Sequence, residues 1–277
     1  MQTLQAYIHD CLQPYNQATL HISDLSIQRG YGIFDFFKVQ QGQPMFLDDY
    51  LKRFYESARQ MELPVPLDTT ELKEVIRQLI QANQLPLSGI KMILTGGYSE
   101  SGYDIGKPNL IITEQPLTLP DQTIVTNGLK VITHSHVREL PEVKTINYTM
   151  GIRLLSNIKA AGAADMLYQQ NGIVSEFPRC NFFIVTRDDV VVTPDKNVLS
   201  GITRKNVLQL ARQKYKTEER AVTIADIAQA KEAFLTSTTK RILPIVQVDD
   251  LVIGNGKPGE ITNELLADLI ALEQTQL

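Results

Sequence analysis

The chain has 277 residues, of which 43% are hydrophobic and 21% charged, and this is the composition of a soluble globular protein with one large or two medium domains. Its formal net charge of −4 gives no basic surface, so neither nucleic acid nor an anionic membrane is an expected partner, and any phosphate site must be local. Two cysteines fit a reducing compartment, and neither a signal peptide nor a bilayer-spanning apolar run is visible, which predicts a cytoplasmic protein.

In the first half of the chain, β-rich runs alternate with amphipathic helical patterns. The spacing of apolar residues predicts helices over 47–61 and 69–83. Three runs rich in β-branched and aromatic residues predict strands over 31–40, 91–95 and 109–113. A segment with two prolines, Pro116 to Gln122, is the best linker candidate.

The second half is dominated by predicted strands. Asn171-Gly172 is a strong hairpin signal between two short strands. Further strands are predicted over 129–133, 181–185, 190–193, 233–235 and 242–248, with helices over 149–161, after Gly201, and over 261–272. This mixture predicts a small N-terminal α/β domain over 1–116, a linker over 117–123, and a larger C-terminal domain over 124–277, rich in antiparallel strands.

Lys144 and Glu176 carry the clearest chemical meaning. Lys144 lies between a predicted strand and a predicted helix, and loops on a rigid scaffold often carry chemistry. Glu176 follows a predicted hairpin and precedes an apolar run. An amine that forms a Schiff base and a carboxylate that keeps a pyridine nitrogen protonated are what a pyridoxal-phosphate enzyme needs. Each residue alone is more commonly a solvated surface charge, so this interpretation depends on the neighbouring segments.

Three segments are candidates for binding a phosphate. Gly201-Ile-Thr-Arg-Lys205 places backbone N–H groups at a helix N-terminus, which favours an anion, although a plain N-cap by Thr203 explains the same residues. The hydroxyls of Thr236-Ser-Thr-Thr239 could close the same site, although threonine is common in strands for its propensity alone. Arg53 could add a bidentate contact or be an ordinary surface arginine.

Other kinds of site find little support. No Gly-x-Gly-x-x-Gly stands between a strand and a helix, and no Walker lysine pattern is present. The four histidines make no metal set, and no Ser/His/Asp arrangement of familiar spacing occurs. We therefore predict no metal site.

Together these segments resemble the class IV, or fold-type IV, pyridoxal-phosphate aminotransferases, which include D-amino-acid transaminases, branched-chain aminotransferases and aminodeoxychorismate lyases. The resemblance covers about residues 21–274 and is carried by six ordered motifs: Arg29-Gly-Tyr-Gly-Ile-Phe-Asp35, Tyr50-Leu-Lys-Arg-Phe54, Lys144-Thr-Ile-Asn147, Glu176 with Asn181-Phe-Phe183, Leu199-Ser-Gly-Ile-Thr-Arg204 and Phe234-Leu-Thr-Ser-Thr-Thr239. It implies a two-domain fold of mixed α/β and α+β character, a homodimer, and pyridoxal 5′-phosphate held between the domains.

The resemblance also implies roles for single residues. Lys144 looks like the Schiff-base lysine, which moves a proton during ping-pong transamination between an amino acid and a 2-keto acid. Glu176 looks like the partner of the pyridine nitrogen, and Tyr148 like a partner of the cofactor's phenolate oxygen. The residues that resemble the family's phosphate-binding set are Arg53, Ile202, Thr203, Thr238 and Thr239.

Two departures from the family pattern stand out. Well-known bacterial D-amino-acid transaminases hold the substrate carboxylate with an arginine in a Thr-Arg-Gly segment, and this chain has Thr95-Gly-Gly97 there. Arg179 stands three residues after Glu176, where small or hydroxyl residues are usual. We hypothesise that Arg29 and Arg179 bind the carboxylate instead, since a guanidinium suits a planar carboxylate. The other departure is Asp35, where the family usually has glutamate.

This arginine pattern resembles a divergent group of D-amino-acid transaminases and favours D-amino acids as donors. Branched-chain L-amino acids are the second choice. Aminodeoxychorismate is the third, because the lyase branch shares the Lys-x-x-Asn spacing. A non-catalytic protein that kept only the fold is the alternative from another class, and the intact Lys144 and Glu176 motifs count against it.

Overall fold

The structure is a computed structural model that describes residues 3–277. Met1 and Gln2 lie outside the described residues. The prediction that no signal peptide is visible at the N-terminus falls partly on these two residues. The chain forms two compact units. The first is the chain up to Thr118 with Val143–Asn147 and Gln276–Leu277, and the second is Leu119–Glu142 with Tyr148–Thr275. No helix within residues 3–277 has the length and apolar character needed to cross a membrane.

The elements of the first unit are β1 Gln5–Ile8, β2 Cys11–Pro14, α1 Leu25–Arg29, β3 Gly32–Gln40, β4 Gln43–Pro44, α2 Leu47–Gln60, α3 Thr69–Asn83, β5 Leu87–Thr95 and β6 Leu110–Pro116. The strands form a six-stranded antiparallel sheet in the order β2-β1-β6-β5-β3-β4. The long helix α2 packs on β3, and α3 packs on β1 and β6.

Strand β3 has one fully paired edge and one partly open edge. On one side β5 pairs with it along its whole length, from Gly32 to Gln40. On the other side β4 pairs only with Val39 and Gln40. The first half of β3 therefore leaves backbone groups available to another segment, as sheet edges do.

The Val143–Asn147 segment pairs with this edge. Thr145 forms an antiparallel bridge with Ile33, and the N–H of Phe34 donates to the carbonyl of Lys144 at 2.9 Å. This pairing places the lysine in the first unit, whereas the sequence predicts the whole of 124–277 as one domain.

The elements of the second unit are α4 Gln122–Asn127, β7 Leu129–Ser135, α5 Thr149–Arg153, α6 Leu155–Ala160, β8 Asp165–Gln170, β9 Ile173–Val174, β10 Asn181–Val185, β11 Val191–Thr193, α7 Ile202–Ala211, β12 Thr217–Glu219, β13 Val222–Thr223, α8 Ile224–Gln229, β14 Glu232–Ser237, β15 Arg241–Val248, β16 Leu251–Val252 and α9 Glu260–Gln274. The strands form a ten-stranded sheet in the order β12-β11-β10-β14-β15-β7-β8-β9-β13, with β16 paired to β15. Most neighbours are antiparallel, whereas β7 pairs parallel with both β15 and β8, and β11 pairs parallel with β12.

Strand β10 is buried on both faces. Phe182 packs into a core cluster with Ile227 of α8, whereas Phe183 packs into another with Val207 of α7 and Leu265 of α9. Successive side chains of a strand point to opposite faces, so an unbroken apolar run is what a central strand with both faces covered requires. This packing fixes α7, whose N-terminus is a predicted phosphate site, against the sheet.

Three local features differ from the sequence predictions. The helix predicted over 149–161 is two short helices that meet at Leu154, and Gly151 weakens the first of them. Helix α4 begins at Gln122, inside the predicted linker. An N-terminal hairpin, β1–β2, turns through His9 and Asp10 with φ of 52° and 61°, and two positive φ values are typical of a tight type I′ turn.

The N-terminus of α3 provides a test of the fold. The carboxylate of Asp68 accepts from the N–H groups of Thr70 and Glu71 at 2.7 and 2.9 Å, and Glu71 accepts in return from the Asp68 N–H at 2.8 Å. We expect Asp68→Ala to lower the free energy of unfolding by about 1 kcal/mol in urea titrations, because two N–H groups lose their acceptor. Glu74→Ala, which removes an exposed ion pair from the same helix, is the control, and an equal effect of both variants would contradict this.

Candidate active site

Lys144 is held in the first unit by β3 and α2. Besides its pairing with β3, its backbone N–H donates to the hydroxyl of Ser57 on α2 at 3.4 Å. The Nζ atom lies 4.6 Å from the centre of the Phe34 ring, and the residue is partly buried. The amine is therefore oriented by two rigid elements, as a nucleophile requires.

Arg53 lies one helical turn before Ser57 on α2 and binds the carboxylate of Asp35. Its Nε and Nη2 atoms donate to the two carboxylate oxygens at 2.9 and 2.6 Å. The Asp35 side chain is fully buried and that of Arg53 is 11% exposed. Residues four apart share one face of a helix, so α2 supports both the predicted lysine and the predicted phosphate ligand.

Glu176 lies in a buried pocket of the second unit that is lined with hydrogen-bond donors. One carboxylate oxygen, Oε1, accepts from Nε of Arg138 at 2.8 Å. The other, Oε2, accepts from the backbone N–H of Leu199 at 2.9 Å and lies 3.5 Å from Nδ2 of Asn181. The side chain is 5% exposed. These contacts suit an ionised carboxylate, which can also accept from a protonated pyridine nitrogen.

Arg138 is a site residue that the sequence analysis missed. Its side chain is 11% exposed, and its Nη2 donates to the carbonyl of Pro141 at 2.6 Å while its Nε binds Glu176. The two residues of this ion pair are 38 positions apart, and no local pattern links them. The one sequence feature that could have drawn attention to Arg138 is its position six residues before Lys144.

Two titratable neighbours of the Arg138–Glu176 pair stay neutral near pH 7. Burial lowers the pKa of His136, and the nearby Arg138 cation acts in the same direction. Burial, with the carboxylate of Asp165 nearby, raises the pKa of Tyr168 to about 12. The rings of His136 and Tyr168 pack edge to face at 4.8 Å. Neither ring therefore adds a charge beside the ion pair at neutral pH.

The predicted phosphate residues Ile202 and Thr203 form the first turn of α7. The N-cap is Gly201, not Thr203, and glycine has no side chain that could accept from the N–H groups of the first turn. A Cβ built on Gly201 would lie 2.0 Å from Oδ1 of Asn181, so only glycine fits here. Asn181 also donates to the Leu199 carbonyl at 2.9 Å, which joins the N-terminus of α7 to the Glu176 pocket.

Thr238 and Thr239 lie in the turn between β14 and β15. Two residues before Thr238, the Thr236 hydroxyl is buried and has no hydrogen-bond partner within residues 3–277. Thr236 is the pairing partner of Asn181 across the sheet. Helix α7 offers N–H groups and this turn offers hydroxyls, and both are phosphate donors. The residues present therefore fit a phosphorylated cofactor with an acidic partner for its ring.

The substrate-binding candidates Arg29 and Arg179 are both exposed. Arg29 is the last residue of α1, and its Nη1 donates to the Gln28 carbonyl at 2.9 Å. Arg179 follows Glu176 in the second unit. Tyr148, the candidate phenolate partner, is the N-cap of α5 and is partly buried.

Gly96, which stands where the resemblance places an arginine, is closely packed. A Cβ on Gly96 would lie 2.8 Å from Cδ1 of Leu25 and 3.0 Å from Cδ1 of Tyr31. Helix α1 and the residue before β3 therefore occupy the space that a side chain at this position would need. Arg29 ends the same helix.

Comparison with known proteins identifies the family. A family model described as "Amino-transferase class IV" matches residues 32–248, well over half of the chain. The chain belongs to this family. Proteins similar to this chain include the D-alanine aminotransferase of Bacillus licheniformis, 27% identical with 92% of each chain covered. Another is the putative branched-chain-amino-acid aminotransferase of Methanocaldococcus jannaschii, 29% identical with 95% of this chain and 94% of the relative covered.

Among solved structures, the branched-chain amino acid aminotransferase of Escherichia coli has a similar fold. Its TM-score is 0.89, with 22% identity over 98% of this chain and 94% of that one. The predicted fold type is thereby confirmed. Membership of the class IV aminotransferases also confirms an enzyme that transfers amino groups with pyridoxal phosphate as cofactor. The non-catalytic alternative is wrong.

The Arg138–Glu176 pair can be tested by a double-mutant cycle. We expect Arg138→Gln to lower the free energy of unfolding by roughly 3 kcal/mol, because it leaves a buried carboxylate without its cation. Adding Glu176→Gln should then cost much less than it does alone, because the two residues are coupled. Urea unfolding followed by circular dichroism measures both effects.

The matched control is the more exposed pair of Arg220 and Asp226 in the same unit, whose Nη2–Oδ1 distance is 3.2 Å. Arg220→Gln should have a smaller effect, because solvent screens exposed pairs. Additive costs for Arg138→Gln and Glu176→Gln would show that the two side chains do not stabilise each other.

Proposed function

We propose that this class IV aminotransferase moves the amino group of a D-amino acid to a 2-keto acid by a ping-pong reaction. The D-preference rests on the two exposed arginines Arg29 and Arg179, a pattern that resembles a divergent group of D-amino-acid transaminases. At position 96, where the well-known D-amino-acid transaminases carry an arginine, this chain has a glycine packed against α1, the helix that ends in Arg29. The similarity to the Bacillus licheniformis D-alanine aminotransferase supports the same assignment.

The cofactor, when bound, supplies an aldehyde that combines with amines and a ring that accepts electrons. We assign Lys144 to the aldehyde and Glu176 to the ring nitrogen, with Arg138 holding Glu176 in place. Tyr148 is assigned to the phenolate oxygen. The phosphate is assigned to Arg53, Ile202, Thr203, Thr238 and Thr239.

Lys144 has a second task in this proposal. The Nζ atom of the displaced, neutral lysine takes the proton from the α-carbon of the amino donor. Lys144 is suited to this because β3 and α2 fix its backbone, so that only the side chain moves. The ionised Glu176 holds a proton on the ring nitrogen during this step, and its donor-lined pocket supports that charge.

Arg29 and Arg179 are assigned to the α-carboxylate of the donor. Both are exposed, which a substrate contact requires, and a guanidinium can bind a carboxylate through two parallel hydrogen bonds. We also propose that two copies of the chain associate as a homodimer and that the enzyme works in the cytoplasm.

Branched-chain L-amino acids are the second candidate donors, favoured by the similarity to the Methanocaldococcus jannaschii protein. Aminodeoxychorismate lyase activity is the third candidate. Handedness is set by which pocket takes the carboxylate and which takes the side chain. The donors themselves therefore give the deciding experiment.

The role of Lys144 can be tested on the holoenzyme. Borohydride should fix the cofactor to the lysine that holds it, and peptide mass spectrometry should find it on the Lys144 peptide. In Lys144→Ala no peptide should carry it. Cofactor fixed to another lysine in the unmodified enzyme would contradict the assignment.

The donor can be tested by mixing the holoenzyme separately with D-alanine, D-glutamate, L-leucine and (R)-phenylethylamine. We expect the two D-amino acids to bleach the cofactor absorbance fastest. Arg179→Ala should raise the KM for D-alanine by roughly 10- to 100-fold, the value of one lost charged hydrogen-bond pair.

Arg187→Ala removes another exposed arginine of the second unit and is the control. An unchanged KM in Arg179→Ala would contradict the carboxylate assignment. Faster bleaching by L-leucine would favour the branched-chain candidate.

A further inference from the structure

We propose that Asp35 is a positioning residue that orients Arg53 toward the cofactor phosphate. The inference rests on the proposed assignment of Arg53 to that phosphate. It gives a role to a position at which this chain departs from the glutamate that is usual in the family.

The geometry of the pair is fixed from both sides. Asp35 is fully buried on β3, and the N–H of Phe36 donates to its Oδ1 at 2.7 Å, so the carboxylate itself is tied to the strand. The guanidinium of Arg53 meets it through Nε and Nη2 and lies 5.3 Å from the centre of the Tyr50 ring. A long flexible side chain is thus held in one orientation.

The use of Nε and Nη2 matters for the phosphate. These two atoms form one edge of the planar guanidinium, and Nη1 lies on the side away from Asp35. Binding the first edge to a buried carboxylate therefore fixes the direction of the second. Preorganised donors lose less conformational entropy when they bind a ligand.

Asp35 has two opposing effects on a bound phosphate, and they can be separated. Its negative charge repels the phosphate and partly cancels the charge of Arg53, so removing the charge should strengthen binding. Its two oxygens also orient Arg53, so removing one acceptor should weaken binding. In Asp35→Asn an amide N–H faces an arginine N–H, which breaks the two-point contact while keeping the side-chain size.

We expect orientation to prevail. Cofactor-depleted Asp35→Asn should bind pyridoxal 5′-phosphate roughly 10- to 100-fold more weakly than the unmodified enzyme, a loss typical of removing a partner that orients a ligand-binding residue. Its affinity for pyridoxal, which lacks the phosphate, should change by less than about threefold. Equilibrium dialysis with the bound compound quantified by absorbance measures both affinities without relying on activity.

The matched control is Glu114→Gln in the same sheet. Glu114 is also fully buried and accepts from Ser88 Oγ at 2.5 Å and Asn83 Nδ2 at 3.0 Å, so the substitution makes the same carboxylate-to-amide change away from Arg53. It should leave the ratio of the two affinities unchanged. Asp35→Glu keeps a carboxylate at this position, so it should retain most of the phosphate-dependent affinity that Asp35→Asn loses.

Arg53→Lys distinguishes a failure of the assignment of Arg53 to the phosphate from a failure of the positioning role of Asp35. If Arg53→Lys leaves the affinity ratio unchanged, the assignment of Arg53 to the phosphate is wrong. If Arg53→Lys lowers the ratio but Asp35→Asn leaves it unchanged or raises it, only the positioning role of Asp35 is wrong. Equal weakening of both compounds in Asp35→Asn would indicate a general loss of structure and would also overturn the positioning role.

Discussion

In the first unit, the backbone of β3 holds the segment that carries Lys144 through hydrogen bonds from Phe34 N to the Lys144 carbonyl at 2.9 Å and from Ile146 N to the Gly32 carbonyl at 3.1 Å. The neighbouring residue Asp35 binds Arg53. The backbone of β3 thus holds the Lys144 segment, while a side chain of the same strand, that of Asp35, holds Arg53. Both positions would move together if β3 shifted its register, because its pairing with β5 is continuous.

The second unit fixes its functional groups by a different means, a chain of hydrogen bonds around one buried carboxylate. Glu176 receives Arg138 on one oxygen and the Leu199 N–H on the other. The side chain of Asn181 donates to the Leu199 carbonyl through Nδ2, and its Oδ1 lies close to Gly201. A buried charge is stable only when its partners are in place, so this network favours one arrangement of the loop before α7. The site proposed for the ring nitrogen and the N-terminus of α7 are thereby ordered together.

Features that depend on residues close together in the sequence were predicted, whereas features that depend on contacts between distant residues were missed. Helix 69–83 was predicted at its observed bounds because its apolar spacing is regular, and the structure adds the Asp68–Glu71 capping box. The β1–β2 hairpin was missed because its turn residues, His9 and Asp10, lack the usual Asn-Gly signal. The role of Arg138 and the pairing of residues 143–147 with β3 arise only when the chain is folded. Roles for single residues came from ordered motifs and stay predictions until the variants are measured.

Residues proposed for the cofactor and residues proposed for the substrate differ in their surroundings. Glu176, Arg138, Asp35 and Arg53 are buried in ion pairs, so a change at any of them leaves a charge without its partner. Arg29 and Arg179 are exposed, and exposed positions tolerate substitution at little cost in stability. On the proposed assignments, the residues that orient the cofactor are tied to the stability of each unit, whereas the residues that bind the amino donor can be exchanged at little structural cost. The chain is similar both to a relative named for D-alanine and to one named for branched-chain amino acids.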